Sequence, residues 1–312
     1  MKNFKKILLI CAAVIMTAGI VFAGGVKDTD MQNSFAADLS EDRAGNPIVI
    51  PSKIEKIISM APSVTEILID LNVADKIIAA DTNTQKDGLL KQNIPYFDMM
   101  NPDAEQLIAL RPDIVFTSGM SRAKGNDPFA PLRAAGICVA DIPSSSSIAA
   151  IYDDITFISQ AVNEKNKGNK LIANMKKEIN AIQKKYSAIT ETEKKTVYFE
   201  IGAAPHMYSL GSNTFIHEML ELIGAKNILA KQKNWVAVSD ETVISANPDV
   251  ILTSVNYIPD PVAEIMQRPG WHVISAVKNK RVFRIDNNSS SRPNHNIVKA
   301  LKQIAAAVYP EY

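Results

Sequence analysis

One segment of the chain occurs twice, and that constrains the fold more than any other feature. Glu105-Gln-Leu-Ile-Ala-Leu-Arg-Pro-Asp-Ile-Val-Phe-Thr-Ser118 and Glu241-Thr-Val-Ile-Ser-Ala-Asn-Pro-Asp-Val-Ile-Leu-Thr-Ser254 align without a gap at a constant offset of 136. Ile108/Ile244, Pro112/Pro248, Asp113/Asp249 and Thr117-Ser118/Thr253-Ser254 match in register. Each copy reads as a helix, a Pro-Asp turn, a buried strand and a polar strand end. A weaker echo pairs Ser63-Val-Thr-Glu66-Ile-Leu68 with Thr214-Phe-Ile-His-Glu218-Met-Leu220. Two α/β units built alike are the simplest source of such echoes.

The rest of the chain supports that division. From Ile48, short β-like runs (Lys56–Met60, Ile77–Ala80, Asp113–Thr117, Ile137–Asp141) alternate with helical patterns, the signature of a mostly parallel sheet. Pro143 and Ser144 to Ser147 close this half. Ile151, Ile155, Ile158, Val162, Leu171, Met175, Ile179 and Ile182 then recur at helical spacing up to about Tyr186. The serine run supplies N-cap candidates, and Gly168 is a candidate break. The βα texture resumes at Thr196-Val-Tyr-Phe-Glu-Ile201. The expected fold class is α/β. An N-terminal lobe (47–146) and a C-terminal lobe (188–312), each with a mostly parallel sheet flanked by helices, are joined by one long helix (147–187). Parallel strands bind ligands beyond their carboxyl ends, so a cleft between the lobes is expected.

The first residues set the compartment. Lys2, Lys5 and Lys6 precede an almost wholly apolar run, Ile7 to Phe22, and Val21-Phe22-Ala23 offers a cleavage site before Gly24. Residues 1–23 read as a signal peptide, with an uncleaved anchor as the alternative. Lipidation at Cys11 is disfavoured, because Ile10 is bulky and the apolar run continues beyond it. Residues 24–46 are polar and read as a tether. Cys138 is the only cysteine after the leader, which excludes a disulfide within the mature chain and a cysteine-rich zinc site. The net charge is +1, or −2 without the three leader lysines, and no basic block occurs. A nucleic-acid partner is therefore not expected.

Several of these residues also resemble a known family. Asn46-Pro-Ile-Val-Ile-Pro51, Ile54–Glu66, Pro112-Asp-Ile-Val115, Phe215–Asn227 and Ala276–Phe283 occur in the order found in periplasmic binding proteins of the iron-siderophore, haem and vitamin B12 class (class III, with a helical backbone). The resemblance spans about residue 46 to the C-terminus. It implies an exported, monomeric binding protein located in the periplasm or at the outer face of the cytoplasmic membrane. Such a protein captures an iron chelate (siderophore or haem) or cobalamin and hands it to an ABC importer permease dimer. It also implies that one acid per lobe, here Glu66 and Glu218 (Glu221 lies close by), docks onto permease arginines. Helix N-terminal acids favoured by the dipole are the plainer reading of that pair.

Strand-end logic supplies the ligand candidates. His206, Met207 and Tyr208 follow a strand and carry groups able to ligate a metal, although direct ligation is not required of them. Trp235 suits the flat face of a porphyrin, corrin or catechol, and is equally readable as a core residue. Trp271 reads as packing. Arg292 could grip an anionic group, with Arg122 as its counterpart in the first lobe. Tyr96, Met99, Ser118, Met120, Ser144 and Tyr257 follow by the same logic. His206, His217, His272 and His295 are all the histidines, and no histidine-rich loop exists, so binding of bare zinc or manganese is the runner-up. The sequence contains no nucleophile elbow, phosphate loop or zinc-protease helix. Neither an enzyme nor a resident cofactor is expected.

Overall fold

The structure, a computed structural model, describes residues 39–122, 125 and 127–312. The leader and most of the tether lie outside the described residues. The first lobe holds β1 (Ile57–Ser59), α1 (Pro62–Asp70), β2 (Ile77–Asp81), α2 (Thr82–Lys86), β3 (Tyr96–Phe97), α3 (Ala104–Ala109), β4 (Ile114–Ser118), α4 (Ala130–Ala134) and β5 (Cys138–Ile142). Its five strands are all parallel, in the order β3-β2-β1-β4-β5. Two helices follow, α5 (Ile148–Ala161) and α6 (Lys165–Tyr186). The second lobe holds β6 (Thr196–Glu200), β7 (Tyr208–Leu210), α7 (Phe215–Leu222), β8 (Lys226–Asn227), β9 (Trp235–Ala237), α8 (Asp240–Ala246), β10 (Val250–Thr253), α9 (Pro261–Gln267), α10 (Ser275–Lys278), β11 (Val282–Arg284), α11 (Asn287–Ser291) and α12 (Ile297–Val308). Its main sheet is parallel, in the order β11-β10-β6-β8, and β7 and β9 pair antiparallel as a separate two-stranded ribbon, with α7 and β8 between them in the chain.

The repeated Pro-Asp segment does the same work in each lobe. Just past α3 and α8 the chain turns left-handed, at Arg111 (φ 51°) and Asn247 (φ 45°), and a proline follows each to prevent continuation. The next residue anchors the strand that begins there. Asp113 Oδ2 accepts the backbone N–H of Glu55 (2.7 Å) and Lys56 (2.8 Å), just ahead of β1. Asp249 Oδ2 accepts the N–H and the hydroxyl of Thr196, both at 2.8 Å, at the start of β6. These aspartates hold β4 and β10 in register with their parallel partners β1 and β6.

The single connecting helix expected from the periodicity is two helices. Asn163 adopts φ 61°, a left-handed conformation that asparagine tolerates, and the chain turns between α5 and α6. Lys176 lies over the ring of Tyr152, 5.0 Å from its centroid, so α6 runs back along α5. Gly168 is not the break. It is the point of closest approach, where an added Cβ would lie 2.1 Å from Ser159 Oγ. Ile148, Ile151, Ile155 and Ile158 of α5 are buried in a core that also takes in Met175 and Ile179 of α6 and Leu220 and Ile304 of the second lobe. Over its 22 residues α6 extends about 33 Å, ending where Tyr186 meets Tyr309 and Tyr312. The end of the expected tether is also clipped down. Asp42 is buried and its Oδ2 accepts the N–H of Asp141 (3.0 Å), while Arg43 Nε donates to Asp154 Oδ1 (2.8 Å).

Candidate functional site

The carboxyl ends of both sheets face one cavity of about 900 Å³ between the lobes. Ser118 and Ser254, the last residues of the two repeated segments, both line it. So do the first turns of the echoing helices, Pro62–Val64 of α1 and Phe215–Ile216 of α7. In a parallel βα unit the helix runs antiparallel to the strands, which brings helix N-termini and strand ends to the same edge. The duplicated chemistry therefore converges on one space.

The polar lining consists mostly of amides and hydroxyls. Asn83, Asn213, Asn234, Asn256, Asn287 and Asn288 contribute the amides, and Ser118, Ser144, Ser145, Ser146, Ser254 and Ser291 the hydroxyls. Asn213 Nδ2 donates to Asn234 Oδ1 (2.6 Å) beside the neighbouring Trp235. Trp235 is 49% exposed on β9 and forms part of the cavity wall. Of the two readings of this tryptophan, the cavity position is the one observed. Trp271 is fully buried, stacked on the Arg268 guanidinium at 4.2 Å, with its Nε1 donating to Asp240 Oδ1 (2.6 Å).

Six of the sequence candidates line the cavity: Met99, Ser118, Met120, Ser144, Trp235 and Arg292. Six do not. His206, Met207 and Tyr208 lead into the antiparallel β7–β9 pair, which folds back over the end of β6 through Ile201 N–H to Tyr208 O (2.9 Å). His206 and Tyr208 are exposed outside the cavity, and the buried Met207 offers its sulfur to Arg268 Nη1 at 3.0 Å. The Tyr257 hydroxyl accepts the N–H of Ala203 (2.8 Å). Arg122 pairs with Asp127 (3.0 Å) and Asp141 (2.6 Å). Tyr96 packs against the core from the edge strand β3. Met207, Tyr257 and Arg122 are thus engaged by partners inside their own lobes.

The acids expected to stand free in solvent do not. The Glu66 side chain is 11% exposed. Its Oε1 accepts from Arg292 Nη1 (2.5 Å), and its Oε2 accepts from Asn294 Nδ2 (2.7 Å) and Asn296 Nδ2 (2.8 Å), all from the opposite lobe. Glu218 Oε2 accepts the N–H of Ile148 (2.7 Å) at the N-terminus of α5, where the helix dipole favours a negative charge. The two echoing acids tie the lobes and their connector together. The sequence reading missed Lys86, Asp87 and the asparagines. The signal was available, since Asn213 follows β7 and Asn287 and Asn288 open α11 soon after β11, positions like those of the candidates that do line the cavity.

Among the described residues, no three His, Cys, Asp or Glu side chains gather where they could hold a bare metal ion, and no helix is long and apolar enough to cross a membrane.

The family model described as "Periplasmic binding protein" matches residues 57–289. The chain belongs to this family. It is 31% identical over 306 residues to an uncharacterized ABC transporter substrate-binding lipoprotein, YvrC, of Bacillus subtilis (strain 168), covering 96% of each chain. It is 23% identical over 326 residues to a cobalamin-binding protein of Halobacterium salinarum, covering 98% of this chain and 85% of the relative. The fold superposes with a TM-score of 0.72 and 30% identity on a structure described as a possible iron-binding (periplasmic solute-binding) protein from Staphylococcus epidermidis ATCC 12228, covering 83% of this chain and all of that one. Structures of the same fold include proteins named for haem, vitamin B12 and molybdate. The protein is a class III substrate-binding component of an ABC transporter, a family of extracytoplasmic solute-binding proteins whose partners are a permease and a small molecule.

Proposed function

We propose that the cleft captures a complete, largely uncharged metal chelate, and a corrinoid ahead of an iron chelate. The polar lining, dominated by amides and hydroxyls, carries this reading. Asparagine both donates and accepts hydrogen bonds, as do the carboxamides around a corrin ring. Among the described lining residues there is no histidine or tyrosine to ligate haem iron axially. Arg292, the guanidinium that would hold a carboxylate, is already paired. The volume lies near the upper end of the range for small-molecule sites, about 300–1,000 Å³, which leaves room for a macrocycle. Trp235 supplies a flat apolar wall beside it. A siderophore or haem, the other chelates that the resemblance implies, suits this lining less well because such ligands commonly carry carboxylates or other anionic groups.

The test is a titration of intrinsic tryptophan fluorescence with cyanocobalamin, hemin, a panel of ferric siderophores, and zinc and manganese salts. Saturable quenching by cyanocobalamin that is lost in Trp235→Ala is the expected result. Binding of bare zinc or manganese, and of none of the chelates, would replace this reading with a metal-ion binding protein.

Delivery requires an outward-facing surface on each lobe. With Glu66 and Glu218 engaged internally, Glu105 and Glu241 take their place in the proposal. They head the two repeated segments, lie in the first turns of α3 and α8, and are exposed. The leader is read as an export signal cleaved after Ala23, giving a monomer that works outside the cytoplasmic membrane.

A further inference from the structure

Arg292 arrives in the cleft already neutralised. It lies just past α11 of the second lobe, and its side chain is 13% exposed. Nη1 donates to Glu66 at 2.5 Å and Nη2 to the Asp87 carboxylate, both from the first lobe. The two acids are held differently. Glu66 is fixed by two asparagines as well and does not line the cavity. Asp87, one residue beyond α2, does line the cavity, is 27% exposed, and has Arg292 as its side-chain partner. The charged residues in the wall are Lys86, Asp87 and Arg292, and the one guanidinium of Arg292 meets two carboxylates, that of Asp87 in the wall and that of Glu66 behind it.

From this we infer that Asp87 is a specificity-determining residue, which occupies the outer edge of Arg292 so that the cleft accepts uncharged chelates and disfavours carboxylate-bearing ones. An anionic ligand group reaching Arg292 must displace Asp87. That exchanges one charge-assisted hydrogen bond for another and leaves two like charges facing each other, an arrangement that discriminates against such a ligand. An uncharged ligand meets no such competition. The inference rests on the corrinoid reading and names the group that enforces it.

The experiment compares cyanocobalamin, its monocarboxylic acid (one side-chain amide hydrolysed) and hemin as probes of the full chain, in wild type, Asp87→Asn, Asp87→Glu and Asp87→Asn/Arg292→Gln. In wild type the amide form should bind more tightly than the acid. In Asp87→Asn the ratio of the two dissociation constants should move toward the acid by at least tenfold, and the ratio of hemin to cyanocobalamin should move the same way. Asp87→Glu should keep the wild-type ratios, and the double variant should lose the gain because the guanidinium is gone. Ratios in Asp87→Asn within twofold of wild type, or a gain that persists without Arg292, would overturn the inference. Wild type that fails to bind cyanocobalamin would instead overturn the corrinoid reading, and the hemin arm would still report on Asp87.

Discussion

Asp154 shows how one buried acid can leave a measurable trace. Its side chain is 1% exposed, on the face of α5 turned toward the first lobe. Arg43 and the Ser145 hydroxyl both donate to it, yet burial outweighs them and pushes the carboxyl up to about 6, from 3.8. Between those values the folded state holds a proton that the unfolded chain has released. Stability therefore falls as pH rises from about 4 through 6, and the loss is complete above that. A shift of about two units corresponds to roughly 3 kcal/mol. Asp154→Asn removes the titration, so the melting temperature of wild type minus that of the variant should decline between pH 4 and pH 7. Thermal melts at half-unit intervals read it directly, and other acids cancel in the difference. A flat difference, or one that grows with pH, would show that Arg43 dominates after all. Ser145, which Asp154 holds, lines the cavity, so this acid also positions a residue of the site.

At the scale of elements, the clearest packing constraint is the crossing of α5 and α6. Gly168 lies inside α6 with Ser159 of α5 against it, and Ser159 is 1% exposed. Gly168→Ala gains about 1 kcal/mol of helix propensity. It also drives a methyl group to 2.1 Å from Ser159 Oγ and 2.4 Å from Ser159 Cβ. Overpacking of that kind destabilises by about 1–3 kcal/mol, so the steric effect should win. Urea unfolding should show lower stability for Gly168→Ala and recovery in Gly168→Ala/Ser159→Gly; equal or higher stability in the single variant would mean the helices can separate freely. The same junction marks the limit of what periodicity reveals. Apolar spacing located both helices, because both bury the stripe it describes. It did not locate the turn, because an asparagine in a left-handed conformation looks like any polar residue of an exposed helix face. The site was legible to a similar degree. The parallel-strand rule found Ser118, Met99, Met120, Ser144, Trp235 and Arg292. It failed at His206–Tyr208, where the antiparallel β7–β9 pair turns the chain away from the cleft. The role that the resemblance implied for Glu66 rested on a different argument, which could not see partners more than two hundred residues away in sequence.

Across the whole molecule, the duplication makes the two lobes present equivalent edges, and the ties between them hold those edges in a fixed relation. Arg292, Asn294 and Asn296 grip Glu66, and His295 pairs with Asp70. Glu218 holds the start of α5, and α6 packs against α7 and α12 of the second lobe. Two acids carried by such a body can engage two sites on a permease at once, and the second contact forms at a high effective concentration set by the first. Glu105 and Glu241 meet the requirements: one per lobe, exposed, and at helix N-termini that lie on the carboxyl edge of each sheet. Neither lines the cavity. Glu105→Arg with Glu241→Arg should therefore leave chelate affinity within about twofold and abolish uptake and the stimulation of transporter ATPase. Reversal adds repulsion to the lost attraction, and loss of either arm also removes the bivalent advantage. Each single reversal should weaken transport less than the pair. Glu66→Arg with Glu218→Arg should behave differently, lowering thermal stability because each change places a cation against donors already directed at a carboxylate. Normal transport by the Glu105→Arg/Glu241→Arg protein would remove these acids from the docking surface, and a fall in chelate affinity in the same protein would place them at the cleft instead.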